Sequence, residues 1–300
     1  MNNKAILYIV GAQNSGSTLL DAAIGNSKGV FGLGEVGRIF NYTDYSACGC
    51  GQIPMACSVC SEIKNKVFSG LSAKKNTLDL SKILKERNLL SFLFSGKLSR
   101  RYAKVSDEIY KTVFEVSDER PTLLVDSSKN VSRAISLSRH SAYPVFFLHV
   151  VRDGRGYINS RNNPSRKAVT GESGGFFVNL WKWLIKNLMV SLCIKPFANN
   201  YKVVRYEDFI NNPDAVVKEI SLFVNTDIES NFYKGSDVVI KRNQIFESPR
   251  RVDYSSVKID EKRLFSQQFK RSQNWFYWLL GGFIGSIWGY KFRQDYLIKQ

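Results

Sequence analysis

The stretch Ala5-Ile-Leu-Tyr-Ile-Val10, followed at once by Gly11-Ala-Gln-Asn-Ser-Gly16-Ser17-Thr18-Leu-Leu, constrains the chain more than any other feature. An apolar run with β-branched residues predicts a buried strand, the glycines permit a tight loop, and the hydroxyls before a further apolar run predict a helix start. A strand buried on both sides and turning directly into a helix belongs in a parallel sheet covered by helices. Two glycines five apart, followed by hydroxyls, also fit a phosphate loop, where backbone amides and a helix N-terminus face an anion. The nucleoside-triphosphatase form of that loop carries Lys after the second glycine, and here the place is taken by Ser17. ATP or GTP hydrolysis is therefore disfavoured. A plain Gly/Ser strand-to-helix turn would look the same if the loop stood alone.

Three further runs read as buried strands: Thr122 to Val125, Val145 to Val151 and Lys202 to Val204. Each ends in polar loop residues and is followed by a helical pattern. The predicted class is thus α/β, a central parallel sheet flanked by helices, with ligands bound beyond the carboxyl ends of the strands. Leu98 to Val116 reads as an amphipathic helix with Tyr102, Val105, Ile109, Val113 and Val116 on its core face. Phe176 to Ile194 is apolar nearly all round and predicts a buried helix. The polar segment from Asn162 to Gly175 is expected to act as a lid. No internal repeat or low-complexity linker divides the chain, so residues 1–300 are expected to form one domain. It carries an insertion at about 41–120 and a basic, aromatic C-terminal segment at about 226–300.

The formal net charge of +17 predicts an anionic partner. No nucleic-acid motif accompanies it, so nucleic acid is not expected. The apolar run at residues 5–10 is too short for a signal-peptide core, and Trp275 to Tyr290, the most apolar window, is shorter than the ~20 residues of a membrane span. That window predicts either a buried helix pair joined at Gly281-Gly282 or aromatics at a membrane interface. The expectation is a cytoplasmic protein able to lie peripherally at a membrane. Four cysteines in the spacing C-x-C-x6-C-x2-C (Cys48, Cys50, Cys57, Cys60) leave structural zinc, disulfides and free thiols open, and Cys193 stands apart. His149, inside an apolar strand, reads as a core histidine, and His140 as a surface one. A Ser/His/Asp hydrolase is excluded because no Gly-x-Ser-x-Gly elbow leaves a strand.

After Phe146-Phe-Leu-His-Val-Val151 comes Arg152-Asp-Gly-Arg-Gly-Tyr-Ile-Asn-Ser160. An arginine leaving a strand and a serine two helical turns later can close on one phosphate. With the first loop, Leu124-Val-Asp-Ser-Ser-Lys129 and Val204-Arg-Tyr206-Glu-Asp208-Phe, this order of motifs resembles the sulfotransferases that use 3′-phosphoadenosine 5′-phosphosulfate (PAPS). The resemblance covers roughly residues 5 to 225 and points to the bacterial and Golgi-type branches, because Gly34-Glu35 follows the apolar turn Gly29-Val-Phe-Gly-Leu. It implies the fold shared by phosphate-loop nucleoside kinases and sulfotransferases, and sulfuryl transfer to a hydroxyl or amine with adenosine 3′,5′-bisphosphate as the second product. The acceptors it implies are saccharides, glycolipids or polymers. It further implies that Ser15, Gly16, Ser17 and Thr18 hold the 5′-phosphosulfate, Arg152 and Ser160 the 3′-phosphate, and that Tyr206 lies near the adenine. Glu35 becomes the candidate base. One departure stands out: the family places Lys or Arg before Ser-Gly-Ser-Thr, and this chain has Asn14, so Lys129 is the candidate for the missing cation. Among the C-terminal basic residues, Lys241-Arg242 and Arg250-Arg251 are candidates to complete donor binding. The competing readings are a small-molecule kinase of the same architecture and a non-enzymatic basic module that binds membrane surfaces.

Overall fold

A computed structural model describes residues 4–37, 56–68, 96–118, 120–162, 174–229, 237–239, 256–259 and 271–290. The predicted run at residues 5–10 forms β1 (Ala5–Gly11), and Ser17 opens α1 (Ser17–Gly25). Next come β2 (Val30–Gly34), α2 (Ser58–Ile63), α3 (Gly96–Val116), β3 (Leu123–Lys129), α4 (Val131–His140), β4 (Val145–Val151) and α5 (Gly154–Asn162). The order continues with α6 (Phe176–Cys193), β5 (Tyr201–Arg205), α7 (Tyr206–Asn211) and α8 (Pro213–Val224). Two short strands, β6 (Asp237–Val239) and β7 (Ser256–Lys258), pair antiparallel apart from the main sheet.

The main sheet has five parallel strands in the order β2-β3-β1-β4-β5. Successive residues of β1 point to opposite faces. Ile6, Tyr8 and Val10 pack with Phe31, Leu124, Phe147 and helices α2 to α4, whereas Leu7 and Ile9 pack with Val125, Leu148, Val150 and helices α1, α7 and α8. A third core, at the β4 end, joins Val151 to α5, α6 and the C-terminal residues Tyr277, Trp288 and Tyr290. The chain fills β1, β2 and β3 on one side and then crosses to β4 on the other. The order therefore reverses beside β1, where the loop after β1 and the exit of β4 lie next to each other.

Four features depart from the sequence reading. The apolar turn before Glu35 is a fifth strand, β2, whose short Val-Phe-Gly-Leu-Gly run gives little periodicity to read. The strand read as ending at Val125 continues, so that Asp126 to Lys129 of the Leu124–Lys129 motif are the extended end of β3. Helix α6 is not buried all round: Leu180, Trp183, Leu184 and Val190 face the core, but Trp181, Ile185 and Leu192 are exposed. Its stretch Phe176–Phe197 is long and apolar enough by composition to cross a bilayer, which the sequence reading did not identify. Finally, Gly281 and Gly282 do not separate two helices. Residues 271–288 run as one irregular helical segment with a π-turn at Tyr277–Gly282, and Gly282 keeps helical dihedrals. A Cβ on Gly281 would lie 3.2 Å from Leu180 Cδ1, so the missing side chain serves close packing on α6.

Candidate active site

All five strands of the sheet end on one edge, and each end carries a residue singled out by the sequence: Glu35 after β2, Lys129 on β3, the Gly11–Thr18 loop after β1, Arg152 after β4 and Tyr206 after β5. In the loop, Gly11 and Gly16 have φ of 153° and 90°, and the Ser15 hydroxyl donates to the Ala12 carbonyl at 2.8 Å. Ser15 and Ser17 are buried and Thr18 is half-buried. Gly16 is required for space as well as for its dihedral, because a Cβ there would fall 2.1 Å from Tyr206 Cδ2. Asn14 also lies in the left-handed region, at φ 64°, a conformation that Asn tolerates better than most side chains. Its carbonyl accepts from Arg152 Nη1 at 3.3 Å, linking the loop to the β4 exit across the switch point.

Arg152 stacks over the Tyr206 ring, its guanidinium carbon 4.6 Å from the ring centre. Tyr206 is itself buried, wedged between Gly16 and Arg152, so in this arrangement its ring sets the plane of the guanidinium. The Arg-Asp-Gly-Arg-Gly run has a mechanical reading. Asp153 Oδ1 accepts from the Arg155 backbone amide at 2.8 Å. A Cβ on Gly156 would sit 2.9 Å from Arg152 Nε, and one on Gly154 2.6 Å from Tyr277. Indole Nε1 of Trp183 donates to the Arg152 carbonyl at 2.8 Å. Ser160 is half-buried on α5, and the adjacent Arg161 reaches back to Gln13 of the first loop at 3.3 Å and to Asn179 of α6 at 3.1 Å.

Glu35 and Lys129, chosen separately from the sequence, meet: Lys129 Nζ donates to Glu35 Oε1 at 2.7 Å, both side chains being mostly buried. Register shifts in the β2–β3 and β1–β3 pairings lie next to these residues, and such bulges re-aim side chains at strand ends. Lys129 has φ 63°, which costs a lysine about 1–2 kcal/mol. A backbone held there against that cost marks a site where the surroundings dictate side-chain direction.

The surroundings are a buried network that the sequence reading missed. Asp126 Oδ2 accepts from Arg133 Nε at 3.0 Å, Arg133 Nη2 at 2.7 Å and the Tyr110 hydroxyl at 2.6 Å. Arg133 Nη1 also donates to Tyr102 and to Ser106. On its other oxygen, Asp126 takes the backbone amide and the hydroxyl of Ser128, and that hydroxyl accepts from the Gly37 amide at 2.8 Å. One aspartate therefore fixes both the β3 end that carries Lys129 and the loop that carries Glu35. Burial, with Asp126 close by, holds the Tyr110 and Tyr8 hydroxyls well above the usual tyrosine range, so both stay neutral donors.

A second missed residue lies inside the Tyr-Glu-Asp segment. Glu207 Oε1 accepts from the Asp153 amide at 2.9 Å, and its Oε2 pairs with the Tyr290 hydroxyl at 2.7 Å. Burial, with Asp153 nearby, raises its carboxyl to about 7. Glu207 thus anchors the turn that presents Arg152. His149 is a core histidine, as the sequence suggested: Nδ1 meets the Tyr201 hydroxyl at 2.6 Å, Nε2 meets Asn187 Oδ1 at 3.0 Å, and burial lowers it to about 4. The Asn187 amide nitrogen donates to the Trp183 carbonyl, so its oxygen faces the histidine, which carries its proton on Nε2. His140 is the last residue of α4 and is half-buried. Cys57 and Cys60 are buried at the start of α2, where Cys57 Sγ caps the Cys60 amide at 3.5 Å. Cys48 and Cys50 lie outside the described residues, as do Lys241-Arg242, Arg250-Arg251 and most of the 162–175 segment; among the described residues no group of three or more metal-ligating side chains occurs.

The chain is similar in fold to solved structures of sulfotransferases. One is the sulfotransferase domain from the curacin biosynthetic pathway, at 16% identity and a TM-score of 0.55, covering 97% of this chain and 99% of that one. The chain has the sulfotransferase fold. A second is the sulfotransferase domain of the Synechococcus PCC 7002 olefin synthase, at 20% identity and a TM-score of 0.50, covering 89% of this chain and 90% of that one. No protein-family model and no curated protein matches the chain.

Proposed function

We propose that this sulfotransferase-fold protein transfers the sulfuryl group of PAPS to a hydroxyl or amine of a saccharide, glycolipid or polymer. The observation that carries this reading is the row of five neighbouring strand ends, with the Glu35–Lys129 pair at one end and the Arg152–Tyr206 stack at the other. The donor's chemistry is a sulfuryl group activated by a phosphate leaving group. The glycine-bent loop fits such an anion, since Gly16 brings its backbone where a side chain would collide and α1 starts at the next residue. Ser15, Ser17 and Thr18 belong with Asn14 to the 5′ end of the donor, and Arg152 with Ser160 to its 3′-phosphate. Tyr206 keeps the guanidinium in plane on the adenosine side.

Sulfuryl transfer resembles phosphoryl transfer in depending on positioning and charge stabilisation. As the acceptor oxygen bonds to sulfur, the bond from sulfur to the 5′-phosphate oxygen breaks and the acceptor proton passes to the Glu35 carboxylate. Lys129 has three N–H donors, of which one engages Glu35, leaving others for the oxygens on which charge builds. This assigns to Lys129 the charge that Asn14 does not supply.

The test is transfer of labelled sulfate from PAPS into candidate acceptors, with competition by adenosine 3′,5′-bisphosphate and by ATP. Labelled product, suppressed by the bisphosphate and not by ATP, is expected. Suppression by ATP, together with phosphate transfer from γ-labelled ATP in a parallel assay, would replace this reading with a small-molecule kinase. Binding of neither nucleotide would leave a non-enzymatic module.

A further inference from the structure

Helix α6 and the C-terminal segment 271–288 lie against each other through their inner faces. Leu180, Trp183 and Leu184 of α6 meet Tyr277, Gly281 and Trp288 of the segment. The outer faces of both are apolar. On α6, Phe177, Trp181 and Ile185 recur every fourth residue and are 49%, 52% and 52% exposed. On the segment, Trp275, Leu279, Phe283 and Ile287 recur in the same way, with Phe283 82% exposed. The two stripes join where the rings of Phe177 and Phe276 pack edge-to-face at 5.3 Å. Soluble monomers rarely leave so continuous an apolar face uncovered.

Among the described residues, the exposed charges on α6 and directly after it, Lys182 and Lys195, are both positive. Along the sequence, residues 173–206 contain five Lys/Arg and no Asp or Glu, with Lys202 and Arg205 paired to Glu219 and Asp208, and residues 262–294 contain six Lys/Arg and no Asp or Glu. Lys182 sits on the exposed stripe itself. Bulky aromatics flanked by lysine and arginine are the composition of a helix lying in a membrane interface, with rings in the acyl boundary and cations among the headgroups. A second copy of the chain is the less favourable occupant, because the exposed Lys182 and Lys195 of each copy would face like charges.

We infer that α6 and segment 271–288 together form a docking face for an anionic lipid bilayer. The face adjoins the candidate site: Asn179, within the first turn of α6, holds Arg161, which reaches Gln13 of the phosphate loop. Docking would therefore set the strand-end edge beside the membrane surface, where a lipid-linked acceptor is presented. The inference rests on the exposed faces and charges and not on the sulfuryl-transfer reading, so vesicle binding and donor binding can fail separately.

The experiment is co-sedimentation of the full chain with vesicles of phosphatidylcholine alone and of phosphatidylcholine mixed with phosphatidylglycerol. Binding to the mixed vesicles, weakened by added salt, is expected. Trp181→Ser and Phe283→Ser should each lower that binding about tenfold, since each removes a large apolar side chain from the contact. Lys182→Glu should lower it on the mixed vesicles only. All three positions face solvent, and unchanged thermal unfolding checks that the variants remain folded. Wild-type protein that stays in the supernatant with both vesicle types overturns the inference. So does undiminished binding by both serine variants, or a dimer in sedimentation equilibrium that they dissociate without any effect on lipid.

Discussion

On the β2–β3 side of the candidate site, Glu35 and Lys129 rest on a fully buried ion pair, Asp126 with Arg133, whose remaining donors and acceptors are taken up by Tyr102, Ser106, Tyr110 and Ser128. On the β4–β5 side, Arg152 rests on a buried carboxyl, Glu207, met by an amide and a tyrosine. The first support is an ion pair in which Arg133, despite the opposing effect of burial, is held well above its ordinary range by Asp126 and the neighbouring tyrosines. The second sits near its titration point, at about 7. When Glu207 is protonated on Oε2, its proton can go to the Tyr290 oxygen while that hydroxyl turns to the Val151 carbonyl, 3.2 Å away. When it is ionised, the hydroxyl points back to the carboxylate. One support is a fixed strut, whereas the other has two proton arrangements.

Breaking the strut should have the largest effect. Arg133→Met leaves Asp126 buried without its counter-charge, and a loss of about 3–5 kcal/mol is expected in denaturant unfolding. A loss below about 1 kcal/mol would mean that the two sides are not supported differently. Glu35→Gln leaves the strut intact and should reduce sulfuryl transfer by about 10²–10⁴-fold, while binding of adenosine 3′,5′-bisphosphate, measured by calorimetry, persists. An unchanged rate would remove Glu35 from the chemistry.

The softer side is sharpened by pH. The Glu207 carboxyl is raised from 4.5 to about 7 in the folded chain, so the folded state holds more protons than the unfolded one between those values. Its contribution to stability is full below pH 4.5 and is lost as the pH rises through about 7, by about 3 kcal/mol in total. Glu207→Gln should flatten that part of the stability–pH profile; an identical slope in both proteins would place the titration elsewhere. Smallest of all, Tyr290→Phe removes one hydrogen-bonding hydroxyl and should cost about 1 kcal/mol in thermal unfolding.

Much of the fold was legible because its signals are local. The β1 run, the glycine loop and the start of α1 occupy consecutive residues, and the apolar β4 run ends at Arg152, so strand, turn and ligand group are read together. Strand β2 was not legible, since five residues with two glycines look the same in a turn and in a strand. The exposed face of α6 was hidden for the converse reason: apolar residues all round predict burial, but packing covers one side only.

Residue type and order along the chain determined which groups stand at strand ends: Glu35 after Gly34, Lys129 at the close of Leu-Val-Asp-Ser-Ser-Lys, Arg152 after Val151 and Tyr206 after Arg205. Their mutual contacts were decided only by the tertiary structure. Glu35 and Lys129 are 94 residues apart and meet because β2 and β3 are neighbours in the sheet. Asp126 and Glu207 read as ordinary motif carboxylates in one dimension. Folding removes them from water, and a buried carboxylate must then find a cation, an amide, a hydroxyl or a proton, which is why each became the anchor of its half of the site.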